Sequence, residues 1–201
     1  MALAVGTIAF GLSRSCVANA PSPEIKSLVV MPLENLSADP AQEYFAVGMT
    51  EELIGSLAQI RALRVVSRTS AMSLKGSNKS LPAIARELNV DAVLEGSVQR
   101  AGGRVRIRIR LLHAPTDTYL WAADYERELS DVLRLQTEVA HTVAEQIRVQ
   151  ITPEERARMA SVAAVNPAAH EEYLLGRFLL WKFVEEDSDA SCRSLQSRDP
   201  D

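Results

Sequence analysis

Asp91-Ala92-Val93-Leu94-Glu95-Gly96-Ser97-Val98-Gln99-Arg100-Ala101-Gly102-Gly103-Arg104-Val105-Arg106-Ile107-Arg108-Ile109-Arg110-Leu111-Leu112 is two strand-like runs hinged on a Gly-Gly pair. In the second run Arg104, Arg106, Arg108 and Arg110 alternate with Val105, Ile107, Ile109 and Leu111. Side chains on a strand alternate between its faces, so the pattern places four arginines on one face and four aliphatics on the other. Gly102 and Gly103 supply the positive φ angles of a two-residue turn, and the two runs become an antiparallel hairpin. Downstream, the polar turn Pro115-Thr116-Asp117-Thr118 leads into a third run, Tyr119 to Glu128. An antiparallel return about residues 115–118 brings Asp124, Glu126 and Glu128 opposite Arg108, Arg106 and Arg104, and Glu95 on the preceding strand faces the same way.

Upstream of the hairpin, Ser27-Leu28-Val29-Val30-Met31-Pro32-Leu33 is a nearly continuous apolar run of the kind buried on both faces of a sheet. Glu34 to Glu43 is polar and turn-rich, which marks a loop. Thr50 is expected to cap a helix with Glu51 and Glu52 in its first turn and Leu53, Ile54, Leu57 and Ala58 as its apolar stripe. Leu63 to Ser67 reads as a short strand, and Ser80-Leu81-Pro82 opens a second helix carrying Ala83, Ile84 and Leu88. After the three-strand segment, Val132, Leu135, Val139, Val143, Ile147 and Ile151 recur near a helical period and predict a long closing helix. The fold class is therefore α/β: a mixed sheet of about five strands in the order β-α-β-α-β-β-β-α with helices packed on it, followed by a partial helical repeat.

The 201 residues divide accordingly into an apolar leader or anchor stub over 1–24, the α/β domain over 25–152, a linker and first repeat helix over 153–183, and a disordered tail over 184–201. The leader is open to three readings: the stub of a membrane anchor, a signal peptide ending near Ala18-Asn19-Ala20, or a disordered segment. Asn166-Pro167 starts a new helical pattern carrying Tyr173, Leu174, Gly176, Phe178 and Leu179, and a single such unit needs neighbours to bury its apolar face. Residues 47% hydrophobic and 24% charged describe an ordinary folded chain, and a net charge of -4 gives no global attraction to nucleic acid. Cys16 and Cys192 lie at opposite ends, with neither a disulfide framework nor metal-ligand spacing.

Three candidate surfaces emerge. His113, His141 and His170 form no constellation and no nucleophile, phosphate-loop or metalloprotease motif is present, so no catalytic residue, cofactor or metal is called for. The Glu34 to Gly48 segment leaves the end of the first strand, where open α/β sheets place ligands, and Glu34, Asn35, Asp39, Tyr44 and Phe45 offer polar and aromatic contacts. Against that, Tyr44 and Phe45 are equally the plug that closes the core. The Arg104, Arg106, Arg108 and Arg110 face could hold a polyanion, but the acids set opposite it favour a self-neutralised ladder. Trp121 and Tyr125, on the other face from Asp124, could form a stacking platform but are expected to pack under the closing helix.

Leu28-Val29-Val30-Met31-Pro32-Leu33-Glu34-Asn35-Leu36-Ser37, Tyr44-Phe45-Ala46-Val47-Gly48-Met49-Thr50-Glu51-Glu52-Leu53, Leu94-Glu95-Gly96-Ser97-Val98 and Tyr119-Leu120-Trp121-Ala122 together resemble the TolB amino-terminal-domain-like module, also called FlgO-like, over Ile25 to Ile151. Asn166 to Arg177 resembles the lead-in to tetratricopeptide repeats. In that family the module follows a membrane helix and precedes such repeats, in proteins that elsewhere carry a winged-helix DNA-binding domain or a class III adenylate cyclase. The resemblance implies a non-catalytic binding, assembly or sensory module at the bacterial cell envelope, on the periplasmic side of the inner membrane, whose partners are proteins met by the α/β domain and the repeat helices. The alternatives are a regulatory segment of an adenylate-cyclase-like enzyme and a nucleic-acid or polyanion binder using the arginine strand.

Overall fold

A computed structural model describes residues 24–149, 151–160 and 166–196. The leader, the residues 161–165 and the last five positions lie outside the described residues. The first strand, β1 (Ser27–Val30), is buried at all four positions and pairs in parallel with both β3 (Arg64–Val65) and β4 (Ala92–Ala101). Asp91 pins its start: one carboxylate oxygen accepts from the Lys26 and Ser27 amides at 2.9 Å each and from the Ser27 hydroxyl at 2.7 Å. Burial pushes the Asp91 carboxyl up, but these donors outweigh it and hold the group below its usual range.

β4 turns through Gly102-Gly103 into β5 (Arg104–His113), which pairs antiparallel with β6 (Thr118–Glu128). Gly102 has φ +58°, while Gly103 is not in the left-handed region, so one glycine rather than two carries the turn. The expected register holds: Arg104, Arg106 and Arg108 face Glu128, Glu126 and Asp124. A short strand absent from the sequence reading, β2 (Glu34–Asn35), runs parallel to β4 beyond the end of β1. The mixed sheet thus has six strands, ordered β3-β1-β4-β5-β6 with β2 beside β4, rather than about five.

Several expected boundaries move. The helix expected from Thr50 begins seven positions earlier, as α1 (Glu43–Leu57). Thr50 is fully buried inside it, donating its hydroxyl to the Ala46 carbonyl at 2.8 Å and accepting the Leu33 amide at 3.0 Å. Its capping preference yields because Tyr44, Phe45, Val47 and Met49 extend the apolar surface upstream. The real entry is a 3-10 turn over Pro40–Gln42, capped by the Asp39 carboxylate on the Ala41 amide at 2.9 Å. Two short helices, α2 (Arg68–Met72) and α3 (Leu81–Leu88), precede β4. The closing helix α4 (Val132–Gln146) stops short of Ile151, because the chain reverses at Arg148, whose φ is +56°.

Residues read as a linker form α5 (Pro153–Ala160). Thr152 and Glu155 make a reciprocal capping box there: the Thr152 amide donates to Glu155 Oε2 at 2.9 Å and the Glu155 amide to the Thr152 hydroxyl at 3.2 Å. The last helix, α6 (Pro167–Gln196), continues well into the segment read as a disordered tail. One face of the sheet is covered by α1 and α4, with Val105, Ile107, Ile109, Leu111, Leu135, Val139 and Val143 fully out of solvent between them. Trp121 and Tyr125 are half-buried against that same core, as the alternation required. The other face carries α3 at one end and lies open along the arginines.

Candidate functional site

The five residues proposed for a single ligand loop are dispersed by the fold. Glu34 is exposed on β2. Asn35 and Asp39 organise the turn that follows: Asn35 Oδ1 accepts the Ser37 amide at 2.9 Å, and Asp39 caps the 3-10 turn. Phe45 is 2% exposed in the core, and the Arg100 guanidinium sits 5.8 Å from its ring centre. Tyr44 turns the other way, toward α6. Asp39 also lines a hollow of about 420 Å³ with Gln42 and Arg100, and Glu34 lines a groove of about 390 Å³ at the carboxyl end of β1. Lys79, Ser97, Arg108 and Arg110 share that groove with Glu34 and Glu95, so strand β2 and the arginine face meet there. The ladder above it is paired within the chain: Arg106 reaches Glu126 at 2.7 Å, Arg104 the same carboxylate at 3.3 Å, Arg110 Glu95 at 3.5 Å and Arg108 Asp124 at 3.6 Å. Contact with Arg106 and Arg104 holds the Glu126 carboxyl below its usual range.

A second polar cluster, which sequence patterns did not bring together, joins the sheet to α6. Glu171 accepts the Tyr44 hydroxyl at 2.7 Å and an Arg100 guanidinium, and Arg100 also donates to Tyr44 at 3.2 Å and to Gln42 at 3.2 Å. The hydrogen bond from Arg100, followed by that from Tyr44, holds Glu171 below the ordinary carboxylate range, and burial with the Glu171 contact raises the Tyr44 phenol. One turn on, Leu174 is 1% exposed and lies where a side chain at Gly48 would be: a Cβ there would stand 2.7 Å from Leu174 Cδ2. Further along, Glu51, its side chain 7% exposed, forms ion pairs with both Arg68 and Arg177, and Arg68 stacks 5.0 Å from the Trp181 ring centre. His170 is buried in the same seam, with its Nε2 unpartnered, and burial lowers its pKa. The outward side of α6 is different: Tyr173, Leu179, Leu180 and Phe183 are 51%, 55%, 66% and 69% exposed.

Among the described residues no group of three or more His, Cys, Asp or Glu could hold a metal ion, and no helix is long and apolar enough to cross a membrane. The three histidines stay apart, His113 bonding Thr116 at 2.6 Å at a strand end and His170 lying in the α6 seam.

No family model matches the chain. Over 182 residues it is 37% identical to a protein of Rhizobium meliloti (strain 1021) named "Putative adenylate cyclase 3", an overlap covering 89% of this chain and 31% of that protein. The chain thus spans about a third of that relative's length. Solved structures of similar fold include lipoprotein GNA1162 of Neisseria meningitidis, 19% identical with a TM-score of 0.45, over 63% of this chain and 99% of that one. The LpoB carboxy-terminal domain of Salmonella enterica is 18% identical with a TM-score of 0.42, over 54% and 87% of the two chains. TolB of Acinetobacter baumannii is 11% identical with a TM-score of 0.43, over 62% and 29%.

Proposed function

We propose that this chain is a non-catalytic binding or assembly module of a bacterial envelope or signalling protein and that it acts through protein contacts of its α/β domain and of the helical segment beginning with α6. The observation that carries this reading is the two-sidedness of α6. One side is latched to α1 through Leu174, Glu171 and Arg177, while the other leaves Tyr173, Leu179, Leu180 and Phe183 in solvent. Isolated exposed apolar residues are ordinary, but four large ones along one helix beside a fixed anchor are what a helical partner would cover. The site of action is the envelope, on the periplasmic side of the inner membrane. A photo-crosslinking residue placed at Leu180 in the intact parent protein should yield a protein adduct, and one at the exposed Glu87 on α3 should not. Equal crosslinking at both positions would end this reading.

A second reading, in which the domain is the regulatory segment of an adenylate-cyclase-like enzyme, is favoured by the 37% identity to the Rhizobium meliloti protein. It predicts that cyclic AMP formation by the longer parent changes when α6 is unlatched by Glu171→Gln. The polyanion reading of Arg104, Arg106, Arg108 and Arg110 has less behind it, since each of the four has an acidic partner.

A further inference from the structure

We propose that the groove at the carboxyl end of β1 binds a small zwitterion with an apolar body, an amino acid or a short peptide, its carboxylate held by Arg108 and Arg110 and its ammonium by Glu34. Strand register builds the site. Glu34 on β2 pairs with Ser97 on β4, and Ser97 with Arg108 on β5, so the three side chains form one row on the open face of the sheet. Neighbouring strands lie about 4.8 Å apart, which sets Glu34 and Arg108 roughly 10 Å apart with only the small Ser97 between them. That span fits a molecule carrying an acid and a base a few bonds apart, hydrogen-bonded at each end. Arg110 stands two positions along β5 from Arg108, on the same face, and lines the same space of about 390 Å³. Sites for small molecules occupy about 300–1,000 Å³.

Within the arginine ladder the two groove members are the loosely held ones. Arg106 donates a hydrogen bond to Glu126 at 2.7 Å, whereas Arg108 stands 3.6 Å from Asp124 and Arg110 3.5 Å from Glu95, too far for a good one. Among the described residues neither guanidinium donates a hydrogen bond, the Ser97 hydroxyl has no partner and no cation pairs with Glu34. A guanidinium presents a planar fork of donors that matches a carboxylate. Charge selects the class of ligand further. Glu34 and Glu95 line the groove beside the arginines, so a dianion or a nucleic-acid backbone meets repulsion there, and a molecule of both signs does not. Leu81 and Ile84 of α3, with Met31 and Pro32, supply an apolar wall for the body of the ligand. The floor is fixed, because a Cβ at Gly96 would collide with the Arg108 carbonyl where β4 and β5 approach. β1 lies between β3 and β4, and α1 and α3 cover opposite faces, so the groove sits where the strand order reverses, the place open α/β sheets offer ligands. This site is independent of the partner proposed for α6.

The full chain, labelled with nitrogen-15, is the material for the test, and its amide shifts are followed on addition of L-leucine or L-leucyl-L-leucine. Saturable shifts at Glu34, Ser97 and Arg108 are expected, with a Kd of about 1 mM or below for at least one probe. The ratio of the two affinities tells whether a free amino acid or a peptide is preferred. N-acetyl-L-leucine, which lacks the ammonium, and L-leucinamide, which lacks the carboxylate, should each bind more weakly than L-leucine by roughly tenfold or more. Glu34→Gln and Arg108→Gln should weaken binding by a similar factor, and Arg106→Gln, outside the groove, should not. Circular dichroism reports whether each variant folds, and the two blocked leucines decide the question with the unaltered chain if a variant does not. Absence of saturable shifts with both probes, blocked leucines that bind as well as L-leucine, or inorganic phosphate binding more tightly than either probe overturns the proposal.

Discussion

On the open face of β5 the side chains of Arg104, Arg106, Arg108 and Arg110 are 66%, 47%, 46% and 50% exposed, and their acidic partners stand 2.7 to 3.6 Å away. At the seam between α1 and α6 one member of each pair is more withdrawn: Arg100 is 17% exposed against 33% for Glu171, and Glu51, 7% exposed, is shared by Arg68 at 25% and Arg177 at 41%. The same residue types thus operate in two dielectric settings. Exposed pairs are screened by water and salt and contribute little to stability, so the ladder chiefly cancels charge. Pairs withdrawn from water cost much to break, because the abandoned partner stays desolvated. The seam therefore fixes where a thirty-residue helix lies, while the ladder fixes what the sheet face repels or admits.

Breaking the seam at its apolar centre should have the largest effect. Leu174→Ala is expected to cost about 2–5 kcal/mol of docking energy, and Gly48→Leu, which drives a side chain into the Leu174 site, about 1–3 kcal/mol. Limited proteolysis should then cut in residues 153–166 while the α/β domain survives; an unchanged digestion pattern would show that α6 is held elsewhere. Glu171→Gln comes next, since it removes the charge facing Arg100: about 1–3 kcal/mol by denaturant titration, with the midpoint shifted and the cooperativity of the domain kept. Retention of the wild-type midpoint would place this cluster with the weak surface pairs.

A smaller and conditional effect is expected from acid. Burial holds the His170 ring below the ordinary histidine value of 6.5, with the Glu52 charge acting the other way and Tyr173 stacked beside it at 6.4 Å. A base whose pKa is lowered in the docked state binds its proton better when released, so docking is complete above about pH 6.5 and weakens as the pH falls below it. Glu171, held low by Arg100 and Tyr44, stays ionised across that window. Trp181 fluorescence followed from pH 7.5 to 5 should report the release, and His170→Gln should remove the pH dependence; a flat profile in the unaltered chain would refute the assignment. The smallest change in stability belongs to the ladder. Asp124→Asn, Glu126→Gln and Glu128→Gln together should lower the melting temperature only slightly, yet create heparin binding that disappears with added salt. Tight heparin binding by the unaltered chain at physiological salt would mean that the ladder is not neutral.

The difference between ladder and seam is also a difference in what a sequence displays. Alternation at Arg104 to Leu111 and a turn at residues 115–118 were sufficient to pair Arg104, Arg106 and Arg108 with Glu128, Glu126 and Asp124, because period and hairpin register are local properties, whereas the register shift between Leu111 and Leu112 left no sign in the alternation. Arg100 was legible as the end of a strand, but its partner Glu171 stands 71 positions away in a separate helix, and no pattern in either segment names the other. Thr50 misled because a Thr-Glu-Glu string is a good helix start wherever tertiary burial does not extend the helix upstream. Thr152-Pro153-Glu154-Glu155 held the reverse case: the capping-box spacing was present, and the linker reading passed over it for the neighbouring small residues. Gly48 carried no local signal, since its need is set by Leu174, 126 residues on.

α6 runs for thirty residues, a rod of about 45 Å at 1.5 Å per residue, and the hydrogen bonds, ion pairs and stacking described above that join it to α1, α2 and the sheet lie between Glu171 and Trp181. These contacts span about 15 Å of the rod, and the helix axis runs roughly 22 Å farther to Gln196. A tilt that displaces the clamped stretch by a fraction of an ångström moves the far end by a multiple of that. Small rearrangements of Tyr44, Arg100 and Glu171, such as a contact at β2 or the β1 groove could impose, are by this geometry magnified into a swing that a neighbour at the distal end would feel as a change of position.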